Sequence, residues 1–219
     1  MDVQRSAAPD TQRIFLVRHG EVHNPERVLY GRLPGYRLSE LGQQMAARSA
    51  EYLAERVERP HLVVSPLQRA RESMAPIEAA FDSTAVVDER VIESWNRFEG
   101  TRIKTALKDP RNWPLVRNPL RPSWGEPFTE IAARMLAALR DQAAAAAGRD
   151  VIVVSHQLPI WMVHRAVTQQ PLAHHPGRRR CALSSVTTLQ YHPATDLAEI
   201  DYCEPAAELL VGATDLGAV

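Results

Sequence analysis

Arg13-Ile14-Phe15-Leu16-Val17-Arg18-His19-Gly20 is an apolar run that stops abruptly at three residues of another kind. Its apolar core is short and continuous rather than alternating, which fits a strand covered on both faces. Two later runs end the same way: Leu62-Val63-Val64 reaches Ser65-Pro66, and Val151-Ile152-Val153-Val154 reaches Ser155-His156. Helical patterns separate them. Ser39 is placed to cap a helix running to about Arg56, with Leu41, Met45 and Leu53 on its buried side. Pro66 suits the entry to a helix from Leu67 to about Ala80. A short strand is expected over Ala85-Val86-Val87. Thr129 to Ala147 carries the stripe Ile131, Met135, Leu136 and Leu139, many alanines, and Gly148 placed as its stop. A further helix is expected from about Pro159, followed by two late strands, Val186 to Tyr191 and Leu197 to Tyr202. Strands alternating with helices predict an α/β fold: a mostly parallel sheet flanked by helices on both faces, in three α/β/α layers.

The 219 residues suffice for one well-buried core. The expected organisation is a disordered arm over residues 1–12, one domain over 13–203 and a tail over 204–219. Between about Ser94 and Phe128 five prolines (Pro110, Pro114, Pro119, Pro122, Pro127) and three tryptophans (Trp95, Trp113, Trp124) predict an irregular excursion able to cover a site. Its tryptophans are expected mainly as core anchors, with Trp95, beside Glu93, the exception. Lys plus Arg and Asp plus Glu number 26 each, and this balance argues against a general nucleic-acid binder. No apolar run is long enough to cross a bilayer. The two cysteines, Cys181 and Cys203, are too few for a disulfide framework, so a reducing, cytoplasmic setting is expected.

In open α/β sheets ligands bind beyond the carboxyl ends of the strands. If the three runs are parallel neighbours, Arg18, His19, Arg69 and His156 converge there, with no carboxylate directly among them. Guanidinium forks and imidazoles in one small pocket suit a compact dianion, and phosphate fits best.

Leu16-Val17-Arg18-His19-Gly20-Glu21 resembles the signature of the histidine phosphatase superfamily, the phosphoglycerate mutase-like fold. Arg37-Leu38-Ser39-Glu40-Leu41-Gly42, Ser65-Pro66-Leu67-Gln68-Arg69-Ala70-Arg71-Glu72-Ser73 and Val153-Val154-Ser155-His156 resemble its further segments, in the expected order over roughly residues 13–191. The resemblance implies that His19 is the nucleophile and carries the phosphoryl group as phosphohistidine. Gly20 would let the chain turn tightly and offer a carbonyl to the other ring nitrogen. Arg18, Arg69 and His156 would hold the phosphoryl oxygens, without metal or other cofactor. Val91-Ile92-Glu93 and Phe98-Glu99-Gly100 resemble the ends of the segment that supplies the general acid, which implies Glu93, with Glu99 as the fallback. Asn24 and Gln157 are expected to reach substrate together with Gly20.

Several positions depart from the family pattern. Val22 stands where many relatives have Ser or Thr, the Arg18 to Asn24 segment is one residue short, and Asn96 and Gln157 replace usual glycines. These leave the reaction intact and the substrate open. Arg71, two positions from Arg69, is expected on a solvated helix face. The basic loop His174-His175 to Arg178-Arg179-Arg180 is read first as a solvated connector and second as an anion contact at the pocket rim. The resemblance implies a phosphomonoesterase for a small phosphorylated metabolite, with a homodimer left open and neither nucleic acid nor membrane as partner. A cofactor-primed mutase and a non-catalytic phospholigand-binding relative are the alternatives. Tyr30-Gly31-Arg32-Leu33-Pro34-Gly35 lacks the aromatic-acidic pattern of mutases and favours the phosphatase branch.

Overall fold

A computed structural model describes residues 11–116 and 124–215. Most of the predicted arm, Pro119, Pro122 and the last four residues of the tail lie outside the described residues. A six-stranded sheet in the order β3-β2-β4-β1-β5-β6 forms the centre. Its strands are β1 (Gln12–Arg18), β2 (His61–Val64), β3 (Val86–Val87), β4 (Val151–Ser155), β5 (Val186–His192) and β6 (Asp196–Cys203). β1, β4, β2 and β3 run parallel, whereas β5 and β6 are antiparallel additions beside β1. The sheet is therefore mostly parallel, as the sequence predicts.

The helices are α1 (Glu40–Ala54), α2 (Gln68–Phe81), the single turns α3 (Ile103–Ala106) and α4 (Trp113–Val116), α5 (Phe128–Ala146) and α6 (Gln157–Val167). Side-chain alternation along the strands sorts them into two layers. Ile14, Leu16, Val151 and Val153 face α5 and α6 through Ile131, Met135, Leu139, Leu158 and Met162. Phe15, Val17, Ile152 and Val154 face α1 and α2 through Ala50, Leu53, Met74 and Ile77. Both faces of the central strands are thus covered, which is why these strands read as unbroken apolar runs.

Local chemistry sets most of the boundaries. Ser39 is extended and its Oγ accepts from the Gly42 amide at 2.9 Å, the cap expected of it. α6 starts two residues before Pro159, because His156 itself occupies the cap position. α5 stops at Ala147, which takes the left-handed conformation with φ 50°, and Gly148 follows at φ 88°. The predicted stop is therefore displaced by one residue onto an alanine. The excursion is irregular as expected, but Trp113 is no core anchor, being 59% exposed; Trp124 is half-buried, and Trp95, the expected exception, is 38% exposed. Trp113 instead donates its indole N–H to the Leu107 carbonyl across one turn.

After β6 the chain returns across α1. Ala206 is buried with Met45 and Leu183, and Leu209, Leu210 and Ala213 pack against the same cluster. Residues 204–213 are thus held against the sheet's α1 side.

The segment after β1 is lashed to the start of α1. Val22 bridges Leu38, and the Ser39 amide donates to the Glu21 carbonyl at 3.0 Å. Two glycines make this approach possible. A Cβ on Gly20 would lie 2.3 Å from the Gly42 carbonyl oxygen, and one on Gly42 would lie 2.0 Å from that of Glu21. Neither glycine has a positive φ, so the requirement is space rather than the tight turn expected at Gly20. Gly→Ala in a helix ordinarily stabilises by about 1 kcal/mol. Gly42→Ala should instead destabilise by about 1–3 kcal/mol, the cost of forcing atoms into a filled site. Urea denaturation measures the difference, and a raised midpoint would contradict the packing described.

Candidate active site

β2, β4 and β1 are adjacent and parallel, with Arg18 level with Ser155 and Val64 level with Val154. Their carboxyl ends therefore open onto the same space. Arg18, His19, Arg69, Glu93 and His156 are all buried there, at 1% exposure or less. His19 is fixed at the backbone by its amide, which donates to Ser155, and its carbonyl, which accepts from the Ser184 amide.

The His19 ring lies between two partners of fixed polarity. Nδ1 is 2.8 Å from the Gly20 carbonyl oxygen, which can only accept, so Nδ1 carries the proton. Nε2 lies 3.3 Å from Nε of Arg69, which can only donate, so Nε2 presents its lone pair. Burial, then the charges of Arg69 and Arg18, hold the imidazole pKa well below 6.5. The ring is neutral at physiological pH, with an unprotonated nitrogen available for attack.

Arg69 comes from the second position of α2 and also donates to the Gly31 carbonyl at 2.8 Å, with its guanidinium over the Tyr30 ring. His156 lies with its ring centroid 5.2 Å from that of His19. Its Nε2 is 2.7 Å from the Ser65 hydroxyl. That oxygen also accepts from the Leu67 amide, and when it donates its own proton to Nε2, Nδ1 of His156 is the N–H end. This Nδ1 is buried without a protein partner, and so are Nε of Arg18 and Oε2 of Glu93. Buried polar atoms rarely stay unpaired, and these three, two from strand ends and one from the loop after β3, suit a ligand that pairs with them. α6 begins directly after His156, adding a helix N terminus favourable to anions.

The two candidate acids separate clearly. Glu93 is wholly buried; Oε1 accepts from the Ser94 amide and Oε2 has no partner. Burial raises its pKa, against the pull of Arg69, so it is disposed to hold a proton. Arg32 anchors it by donating to the Glu93 carbonyl at 2.6 Å and to Glu126. Glu99 instead accepts from the Arg32 and Asn96 amides through Oε1, a clamp between two loops.

The remaining predicted residues are placed as follows. The Gly20 amide donates to Ser73, so this glycine shapes the site through its carbonyl and its lack of a side chain. Asn24 has both ends of its amide engaged by the Val28 backbone, which closes its own loop. It lines a side cavity of about 270 Å³ with Glu21, Tyr30 and Thr214. Gln157 lies at the rim, accepting from Arg179 at 3.3 Å and facing the Cys181 carbonyl. Arg71 is exposed, as predicted.

Two groups are placed only by the tertiary structure. Arg179, in the loop read first as a solvated connector and second as an anion contact at the pocket rim, reaches inward to Gln157 and His174. Burial pushes its pKa down to about 10, against the attraction of Glu93. Three arginines in a row were the available signal, and nothing in that pattern says which one turns in. The second is a carboxylate where none was expected: Asp215 bonds the Arg18 guanidinium through both oxygens, at 2.6 and 2.7 Å. Burial opposes the Arg18 charge, but these bonds override it and hold its pKa above the ordinary value. The two residues are 197 positions apart, and only the packing of the tail brings them together.

The profile of the Histidine phosphatase superfamily (branch 1) matches residues 14–199, the span that carries every strand end described above. The chain belongs to the histidine phosphatase superfamily. It is 48% identical over 202 residues to the uncharacterised protein Rv0525 of Mycobacterium tuberculosis, covering 91% of this chain and 99% of that one. Its fold is similar to that of the mycobacterial glucosyl-3-phosphoglycerate phosphatase Rv2419c, with a TM-score of 0.70, 25% identity and coverage of 88% and 96%. It is also 26% identical to a probable phosphoglycerate mutase, GpmB, of Enterobacter sp., over 90% of this chain and 93% of that one. The superfamily is one of phosphatases and mutases, and the phosphoglycerate mutase-like α/β fold is shared. Among the described residues no three His, Cys, Asp or Glu side chains gather to hold a metal ion, and no helix is long and apolar enough to cross a membrane.

The buried histidines have a measurable consequence. Their folded-state pKa values lie below 6.5, so the unfolded chain takes up protons that the folded chain refuses. The stability they contribute is complete above about pH 6.5 and should fall on acidification by about 1.4 kcal/mol per histidine per pH unit. Glu93, raised in the fold, opposes this loss but is one group against two. Imidazole nitrogen shifts should report His19 and His156 as neutral at pH 6, and urea midpoints should drop between pH 7.5 and 5.5. Ordinary titration of both rings near pH 6.5 would refute the electrostatics described.

Proposed function

We propose that the protein is a metal-independent phosphomonoesterase that acts on a small phosphorylated metabolite through a phosphohistidine intermediate. The observation that carries this reading is the His19 ring, bracketed so that Nε2 offers its lone pair into an arginine-lined pocket. Nε2 attacks phosphorus while Arg69, the N–H end of His156 and Arg18 take the charge of the equatorial oxygens. Glu93 protonates the departing alkoxide, then accepts a proton from the water that releases phosphate from His19. The resulting carboxylate is stabilised by Arg69, the charge that acts on it most strongly. Hydrolysis is preferred over mutase chemistry because residues 30–35 lack the aromatic-acidic pattern of mutases. The named phosphatase among the similar structures is consistent with this preference, and its substrate is a property of that protein.

His19→Ala should leave a folded protein whose turnover is lost, with no acid-labile label transferred from substrate phosphate, in assays run with chelator throughout. Retained turnover by the folded variant would remove His19 from the mechanism. A requirement for added metal in wild type would remove metal independence.

Glu93→Gln keeps the shape of the acid and removes its proton. The burst of phosphohistidine formation from alkyl phosphates should fall by roughly a hundredfold or more, whereas nitrophenyl phosphate, with its good leaving group, should lose far less. Equal losses for both would assign the proton to another group.

A further inference from the structure

The Arg18 fork, which the proposed reaction needs for phosphoryl oxygens, already holds a carboxylate of the same chain. Asp215 places Oδ1 2.6 Å from one terminal nitrogen and Oδ2 2.7 Å from the other, the bidentate arrangement that a phosphoryl group would also make. Arg18 is buried completely, whereas the Asp215 side chain is 37% exposed. The contact is prepared by the residues before it. Leu209, Leu210 and Ala213 pack on Met45 and Leu183, and the Thr214 amide donates to Oε1 of Glu21 at 2.6 Å. Glu21 accepts from Ser39 through its other oxygen, so the residue that follows Arg18-His19-Gly20 also holds the tail at its last step.

We propose that Asp215 is an intrachain competitor for the phosphoryl seat. Its carboxylate occupies the Arg18 fork in the free protein, a phosphoryl dianion displaces it, and its return favours release of product phosphate. A carboxylate brings a single negative charge to the Arg18 fork. A dianion can pair with Arg18, Arg69 and the N–H end of His156 together, so the exchange runs in favour of ligand when ligand is present. Displacement turns the half-exposed Asp215 side chain toward solvent, and the packing of residues 206–213 can stay as it is. The residue therefore sets the affinity of the site for phosphoryl groups while standing outside the chemical steps. This inference rests on the phosphatase reading only for the identity of the ligand.

Inorganic phosphate binding, followed by calorimetry, tests it without turnover. Asp215→Asn and Asp215→Ala should bind phosphate about tenfold or more tightly than wild type, because the competing charge is gone. KM for nitrophenyl phosphate should fall in parallel. Glu208→Gln, which removes a tail salt bridge to Arg48, should change neither. If loss of the pair weakens the fold, phosphate should raise the melting temperature of Asp215→Ala by more than that of wild type. Phosphate affinity unchanged or weakened in both Asp215 variants would overturn the proposal and make Asp215 a support that positions Arg18. Tighter phosphate binding in a protein that turns over no phosphomonoester would keep the competitor and overturn the phosphatase reading. Absence of phosphate binding in every form would overturn both.

Discussion

The Gly20 carbonyl that accepts the Nδ1 proton of His19 can do so only because the chain there runs against the first turn of α1 with no side chains between. That backbone contact joins three things. It ends β1, it seats the N terminus of α1 through Ser39 and Glu21, and it sets which ring nitrogen of His19 keeps its lone pair. A methyl group at Gly20 or Gly42 would separate the layers and turn the imidazole at once. The tautomer of His19 is thus a consequence of how closely two backbones meet.

Around that contact the site concentrates positive charge among buried side chains. Burial and the neighbouring arginines keep His19 and His156 neutral, and burial keeps Glu93 disposed to protonation. Each of these states is the one the proposed phosphoryl transfer would need at its start: an unprotonated imidazole, a carboxyl group able to give a proton, and a field that favours a dianion. The same field explains why a carboxylate from the tail is drawn to Arg18. A buried guanidinium left without an anion would carry a heavy desolvation cost, and Asp215 offsets it through two charge-assisted bonds.

The sheet's order decides which of the candidate groups share this field. β1, β4 and β2 lie side by side, so Arg18, His19, Ser65 and His156 arrive at one level. Arg69 follows from the second position of α2, and Glu93 from the short 3-10 turn after β3. Glu99, six residues beyond Glu93, is turned instead toward the loop at Gly31 and Arg32, where its oxygen accepts two backbone amides. Sequence proximity to the motif could not separate these two carboxylates, but their partners do.

The sequence by itself determined the layers, the strands and the chemical cast of the site. A strand covered on both faces must be apolar throughout, and it must end where polar groups are needed, so Val17-Arg18 and Val154-Ser155 mark both core and pocket. Ser39, Met45, Leu53 and the stripe of α5 were legible for the same reason: caps and periodicity are local physics. What only the tertiary structure decided is pairing between groups distant in the chain. It sorted Glu93 from Glu99 through their different contacts with Arg32, and turned Arg179 inward from a run of arginines. It also brought Asp215 to Arg18, because the tail packs across α1 through Leu209 and Leu210 before it reaches the pocket. No periodicity or spacing encodes such a meeting, since it depends on where two independently placed segments come to rest.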